Sequence, residues 1–346
     1  MRLLVPGGAG FIGANFLRHW AVTHPGDELV VLDALTYAGN RATVDEVGAP
    51  VELIEGDIGD LPLVEGLLRE RPVDVVVNFA AESHNSLAVV DPLRFYRTNV
   101  LGTATLLEAC RRVGVGRFHH VSTCEVYGDL DLDAGPDSAF TEASPYRPRT
   151  PYNASKAGAD HAVRAYHETY GLPVTVTNCC NNYGPYQFPE KVIPLFTTFA
   201  LDETPLPMYA STKNRREWLH VIDHCRAIEA VLQRGRIGET YNVGSGVERS
   251  IEEIADLVLF ALDKPADLKT IVADRPGHDR RYLLDSTKIR TELGWEAEVG
   301  FDVGLEATVA WYAERRTWWE PLRDRAPVVE TDWSADGAGG RHRPPG

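Results

Sequence analysis

The sequence predicts a doubly wound α/β fold: a Rossmann-type parallel sheet covered by helices on both faces, with a smaller C-terminal α/β substrate lobe. Three observations carry this. In the first half of the 346 residues, short apolar runs alternate with amphipathic stretches. The runs are near-continuous, as in Val75-Val76-Val77, which marks strands buried on both faces. After about residue 180 the pattern shifts to Pro-, Gly- and Asn-rich loops between shorter elements.

The elements follow in order. Residues 2–5 read as a strand that leads into Gly7-Gly8-Ala9-Gly10-Phe11-Ile12-Gly13 and a helix through about Trp20. Strands are expected at 29–32, 51–55, 73–78, 118–122 and 174–178, with helices over 61–70, 93–113 and 153–170. The second half predicts helices over 190–201, 223–234, 250–263 and 302–315. The expected division is a cofactor domain over 1–180 and a ligand lobe over 181–326, whose strands can interleave with the first domain. An unstructured or loosely docked tail is expected over 327–346, where Gly and Pro accumulate.

Composition excludes several partners. Lys and Arg number 35 against 50 Asp and Glu, a net charge of −15. Such a chain is unsuited to neutralising nucleic-acid phosphates or to sitting on an anionic membrane. No apolar run approaches the ~20 residues of a membrane helix. The cysteines, Cys110, Cys124, Cys179, Cys180 and Cys225, are odd in number and irregularly spaced. They read as reduced thiols of a cytoplasmic protein. His220 and His224, beside Cys225, lack companion ligands, so no metal is expected.

Gly7, Gly10 and Gly13 form GxxGxxG between a strand and a helix. Glycine there lets the backbone turn tightly and bring N–H groups against a pyrophosphate. The next strand ends in Asp33, 20 residues beyond Gly13. A carboxylate at that place accepts from a ribose diol and repels a 2′-phosphate, which favours NAD over NADP. The same residue also suits a turn or helix cap. Asp57, after Glu55-Gly56, is a candidate for the adenine end or a solvated loop residue.

Tyr152 and Lys156 stand four apart, on one face of a helix. An ammonium beside a phenol favours the phenolate, so the pair is expected to lower the tyrosine pKa and make it a general base. Ser122 and Thr123 end the fifth strand nearby in the pattern.

These residues carry a resemblance. The chain resembles the extended short-chain dehydrogenase/reductases and, within them, the dTDP-glucose 4,6-dehydratases. The similarity spans about 1–315: GGAGFIG (7–13), LDALTYAGN (32–40), NFAAESH (78–84), TNVLGT (98–103), VSTCEVYGD (121–129), TPYNASKAGADH (150–161), NNYGPYQFPEKVIPL (181–195), RREWLHVIDH (215–224), GETYNVGSG (238–246) and RPGHDRRYLLD (275–285). The resemblance implies that Phe11, Ile12, Ile58, Ala80, Ala81 and Asn99 join the glycines, Asp33 and Asp57 around NAD. It implies that Thr123 bonds the sugar 4-hydroxyl, that Tyr152 takes its proton, and that Lys156 holds the nicotinamide ribose. Glu125 is implied as the base at C5. His84, Asn181, Glu190, Lys191, Arg216, Asn242, Arg275 and His278 match positions that hold the nucleotide sugar. A homodimer is implied, through the Tyr152 helix and the 93–113 helix.

Two departures bear on the chemistry. The family reads Thr-Asp-Glu where this chain reads Thr123-Cys124-Glu125. The missing aspartate is the family's acid for the C6 hydroxyl. Its task falls to Cys124, to a water or to Glu125 acting twice, and Cys124 otherwise fills space. After His84 the family continues Val-Asp-Arg-Ser, and this chain has Asn85-Ser86-Leu87-Ala88. That loses an arginine expected near the sugar and phosphate. The departures leave open an altered outcome, such as 4-epimerisation, uronate decarboxylation or 5,6-dehydration. A silent NAD- or sugar-nucleotide-binding protein is the alternative of another class.

Overall fold

Buried strands and amphipathic helices alternate through the first half in a computed structural model that describes residues 1–326, 328–330 and 341–343. The order is β1 (Arg2–Pro6), α1 (Phe11–Thr23), β2 (Glu28–Asp33), α2 (Arg41–Asp45), β3 (Val51–Glu55), α3 (Leu61–Glu70), β4 (Val75–Asn78), α4 (Asn85–Val90), α5 (Pro92–Phe95), α6 (Thr103–Val113), β5 (Arg117–Thr123), α7 (Pro151–Tyr170) and β6 (Val174–Cys179). Then come β7 (Asn181–Tyr183), α8 (Val192–Leu201), β8 (Leu206–Tyr209), β9 (Arg215–His220), α9 (Val221–Arg234), β10 (Thr240–Val243), β11 (Glu248–Ser250), α10 (Ile251–Ala261), β12 (Lys269–Val272), α11 (Thr287–Leu293), α12 (Phe301–Glu314) and α13 (Arg316–Arg323).

Seven parallel strands form the main sheet in the order β10-β6-β5-β4-β1-β2-β3. Chain order reverses at β1, between β2 and β4. Ligands of such sheets bind in the crevice at this switch, outside the carboxyl ends of the strands. Successive strand residues pack on opposite faces. Leu4, Val30, Val76 and Phe118 join α3 and α6 on one face; Leu3, Val5, Val31 and Val77 meet Phe16 and Trp20 of α1 and Ile228 of α9 on the other. Each such side chain contributes about 1.5–3 kcal/mol on burial. Two buried faces explain why the runs are continuous.

The structure adds to the expected elements in three places. First, β10 and α9 lie beyond residue 180 yet complete the first layer, β10 beside β6 and α9 against α1. The substrate lobe keeps the small sheets β11-β9-β7 and β12-β8, with a core that includes Phe196, Trp218, Val258 and Phe301. Second, the helix expected over 93–113 is broken by a π-helical stretch, Tyr96–Gly102. The wider turn carries Asn99, whose amide bonds the backbone N–H and carbonyl of Glu82 at 2.8 and 3.0 Å and Ser155 Oγ at 2.8 Å. Third, of the tail expected to lack structure, Val328–Glu330 pairs antiparallel with Arg341–Arg343. The remainder of 327–346 lies outside the described residues.

The helix bearing Tyr152 is well specified at both ends. Thr150 caps α7 by accepting from the Asn153 N–H at 3.2 Å, Pro151 occupies its first turn, and Gly171 ends it in the left-handed region.

Candidate active site

The cleft opens where β1 meets α1. Gly7 has φ of 77°, and a Cβ there would stand 2.5 Å from the Ala80 nitrogen. A Cβ on Gly13 would meet the Gly7 carbonyl at 2.5 Å, so glycine is what lets α1 approach the strand. Gly10 caps α1 without a side-chain bond, leaving the first-turn N–H groups at Phe11, Ile12 and Gly13 beside the cavity. A helix start of this kind receives an anion. Asp33 ends β2, its carboxylate accepting from Ala9 N at 3.0 Å and Leu35 N at 2.9 Å. Burial raises its pKa, and these two N–H donors oppose the rise.

Gly7, Gly10, Asp33, Asp57, Ile58, Ala80 and Ala81 line a groove of about 120 Å³. It continues through Gly7, Gly10, Phe79 and Ala81 into a cavity of about 320 Å³. The cavity wall holds Phe11, Ile12, Gly13, Thr123, Glu125, Tyr152, Lys156, Asn181, Glu190 and Lys191. The groove, the uncapped helix start and the anchored carboxylate fit a dinucleotide laid from Asp33 towards Tyr152. Asn99 lines neither compartment; it ties Glu82 to Ser155 behind the wall.

β5 delivers the reactive end. Thr123 caps a single 3₁₀ turn, Cys124–Tyr127, by accepting from the Glu125 N–H at 3.3 Å. Glu125 faces the cavity. Cys124 does not line it; the thiol is buried in a cluster with Val126, Tyr127, Leu219 and Tyr282. Burial first, then Glu125, pushes this thiol well above the usual range. Glu125 itself is raised to about 7 by burial and by Asp279, against the pull of Arg275, Arg216 and Lys191.

Tyr152 and Lys156 share a face of α7 as expected, but the expected lowering of the phenol pKa is absent. Burial and then Glu125 push Tyr152 up, opposed by a hydrogen bond from Thr123. Lys156 Nζ donates instead to the Val121 carbonyl at 2.8 Å and lies 3.4 Å from His120 Nε2. The spacing sets the shared face; strand β5 sets where the ammonium ends.

Lys191 Nζ donates to the Ser83 carbonyl at 2.7 Å and stands 3.3 Å from Glu190. Glu190 also accepts from Tyr37 OH at 3.0 Å and lies 3.5 Å from His84 Nε2. His84 caps α4 through Nδ1. Arg275 is buried, and its Nη1 has no hydrogen-bond partner among the described residues. His278 lies 3.1 Å from Ser211 Oγ and packs on Tyr209; burial, then Arg216 and Arg275, hold its pKa down at about 3.

Three expectations are corrected. Arg216 is not a free diphosphate fork: its guanidinium donates to the carbonyls of Arg215, Asp279 and Arg280 at 2.6–3.1 Å. Asn242 is fully buried at the end of β10, accepting from Tyr127 OH at 2.8 Å and donating to the Phe140 carbonyl at 2.9 Å. Leu87 does not face the sugar pocket; it packs with Ala88 and Phe95 under Tyr152, while Asn85 reaches the cavity. Motif reading also passed over Ser83, Gln187, Phe188 and Trp218 in the wall. All four sit within stretches that carry the resemblance, Ser83 in 78–84, Gln187 and Phe188 in 181–195 and Trp218 in 215–224. His220 caps α9, and His224 bonds Asn182.

The family model for GDP-mannose 4,6 dehydratases matches residues 4–308. The chain belongs to this family. A dTDP-glucose 4,6-dehydratase of Xanthomonas campestris pv. campestris (strain B100) is 50% identical over 347 residues, covering 94% of this chain and 97% of that protein. The structure of a Streptomyces venezuelae dTDP-glucose 4,6-dehydratase with NAD bound matches with a TM-score of 0.89 and 51% identity, covering 93% and 100%. That of a Bacillus anthracis dTDP-glucose 4,6-dehydratase in complex with NAD gives 0.86 and 44%, covering 93% and 99%. The motif resemblance and these relatives agree on the branch of the family.

The Asn242 correction has a direct check. Asn242→Ala strands the Phe140 carbonyl and Tyr127 hydroxyl, so it lowers unfolding free energy by about 1–3 kcal/mol in urea titration. Ligand affinity of the folded protein stays within about threefold by calorimetry, because the residue sits behind the cleft; on the 1.4 kcal/mol-per-decade scale, a larger loss marks a binding contact.

Proposed function

We propose that this protein is an NAD-dependent dTDP-glucose 4,6-dehydratase, forming dTDP-4-keto-6-deoxyglucose. The observation that carries the reading is the meeting of Thr123, Glu125 and Tyr152 in one cavity that continues into a dinucleotide groove. The relatives of about half-identical sequence point the same way. When bound, NAD supplies the acceptor for the hydrogen leaving C4 and the donor for the one arriving at C6.

Asp33 suits the ribose diol, and the start of α1 suits the pyrophosphate. Thr123 orients the 4-hydroxyl, and Tyr152 takes its proton as the phenolate, a form that burial and Glu125 oppose and the Thr123 hydrogen bond supports. Lys156 places positive charge at the cavity floor. Once C4 is a ketone, the C5 proton is acidic, and Glu125 removes it. The protonated Glu125 then serves as the acid: the C6–O bond breaks, the proton leaves with that oxygen as water, and the carboxylate returns; C5 takes up a proton as C6 is reduced, which balances the one Tyr152 took from the 4-hydroxyl. A carboxyl with a pKa of about 7 suits both directions of transfer near neutral pH. The readings of altered outcome rested on Cys124 and Leu87, and neither side chain lines the cavity.

Leu93 and Leu101, each more than 60% exposed on the run 92–113, support pairing with a second copy of the chain. All five cysteines are free and buried, which supports a reducing, cytoplasmic setting. No described helix is long and apolar enough to cross a membrane.

Incubation with dTDP-glucose is expected to give a product lighter by one water; an unchanged sugar with bound NAD intact overturns the reading. Glu125 must begin ionised, so the elimination rate falls about tenfold per pH unit below pH 7. Glu125→Gln still oxidises C4 and accumulates reduced-nicotinamide absorbance without dehydrated product. Cys124→Asp buries a second carboxyl beside Glu125 and slows dehydration; a large gain would identify the thiol as a compromised acid. Light scattering should give twice the chain mass, and Leu101→Arg should return it to one.

A further inference from the structure

Beneath Lys156 lies a buried polar chain that the steps above leave without a task. Helix α7 sets Tyr152, Lys156 and Asp160 four residues apart on one face. That face lies on β5, where His120 and Ser122, two residues apart, point the same way. Asp160 is fully buried; its Oδ2 accepts from Ser122 Oγ and from Tyr146 OH, both at 2.9 Å. Its Oδ1 has no hydrogen-bond partner among the described residues and lies 3.5 Å from His120 Nε2. The same His120 nitrogen is 3.4 Å from Lys156 Nζ.

The neighbours of His120 assign its proton. Asn78 Oδ1 accepts from the Ala80 N–H at 3.1 Å, so the Asn78 amide nitrogen is the atom that faces His120 Nδ1, at 3.3 Å. Nδ1 therefore accepts, and the hydrogen sits on Nε2, towards Asp160. The imidazole stays neutral: burial, then Lys156, holds its pKa well below the usual value. A neutral imidazole does not balance a buried carboxylate, and an unbalanced one costs several kcal/mol. Lys156 is the cation at hand. Burial lowers its pKa, and Asp160 is the foremost group opposing that fall. Reciprocally, burial raises Asp160, and Lys156 leads the groups that hold it down. The other titratable and charged groups facing this cluster are Tyr146, Arg164, Cys179 and Tyr152.

We propose that Asp160 is a positioning residue, the buried counter-ion that keeps Lys156 charged where the Val121 carbonyl of β5 holds it. The proposal rests on the dehydratase reading, and it adds a residue that acts only through Lys156. It also gives the network its direction. The Ala80 N–H, in the wall of the cofactor groove, bonds to Asn78; Asn78 sets His120; His120 faces the carboxylate that balances the lysine.

The test is the pH profile of C4 oxidation in the holoenzyme, read as reduced-nicotinamide absorbance. Asp160→Asn keeps an acceptor for Ser122 and Tyr146 but removes the charge. Without it Lys156 loses its proton more readily, so the alkaline limb should move about one pH unit towards acid. The sugar-nucleotide KM should stay within threefold. Tyr146→Phe removes a hydrogen bond from Asp160 without its charge and should leave that limb in place. An unmoved limb in Asp160→Asn, with the rate lowered equally at every pH, makes Asp160 merely structural and overturns the proposal. Should the asparagine variant not fold, Asp160→Glu, which keeps the charge, is expected to hold the wild-type limb; a limb displaced by a full unit there overturns it as well. Failure of the dehydratase reading looks different: the wild-type protein then yields no dehydrated product.

Discussion

The packing of α7 on β5 is the contact on which the site depends. It buries a phenol, an ammonium and a carboxylate in one column, Tyr152, Lys156 and Asp160, against His120, Ser122 and Thr123. Charge in so dry a place has to be matched locally. Lys156 Nζ takes the Val121 carbonyl, and Asp160 takes the hydroxyls of Ser122 and Tyr146. The strand thus supplies both the partners of the column and, one turn later, Glu125. A shift of α7 along β5 would part Tyr152 and Lys156 from Thr123 and Glu125.

A second set of contacts closes the cleft from the far side. The loop and helix after Asp33, residues 34–46, border the groove and are held by the substrate lobe. Tyr37 bonds Glu190 and packs edge-on to Phe188. Trp318 Nε1 donates to Thr43, and Arg325 donates to the Thr36 and Gly39 carbonyls. The C-terminal helices therefore work at the cofactor end although they follow the substrate lobe in sequence. A groove fastened in this way matches a reaction in which the hydrogen taken from C4 must be returned to C6 before the cofactor is free.

What could be read from the sequence was local or periodic. The glycine loop, Asp33 at a strand end, the Tyr152–Lys156 spacing and the buried strands each depend on a few neighbouring residues. What could not be read depends on partners distant in the chain. Spacing places Lys156 beside Tyr152, but the Val121 carbonyl decides where its ammonium rests. Arginine at 216 reads as an anion ligand until the carbonyls of Asp279 and Arg280 are seen to occupy it. Cys124 and Glu125 are adjacent in sequence, and only the 3₁₀ turn after Thr123 separates cavity from core. The π-helical turn at Asn99 has no periodic signature, because it answers to Glu82 and Ser155.

The charge balance of the cleft follows the same logic. A chain of net charge −15 has to receive two diphosphates. Its cleft cations are mostly engaged: Lys191 with Glu190 and Ser83, Arg216 with carbonyls, Lys156 with Val121 and the field of Asp160. Backbone N–H groups at α1 meet one anion with no carboxylate to displace. Arg275 differs from these cations, since its buried Nη1 has no hydrogen-bond partner among the described residues. An unpaired guanidinium nitrogen costs stability when buried, and an arriving phosphate oxygen removes that cost. Arg275 also pulls Glu125 towards its ionised form, against burial and Asp279. The ionised form is the one a base needs, so the same guanidinium that is left unpaired also prepares Glu125 to accept a proton.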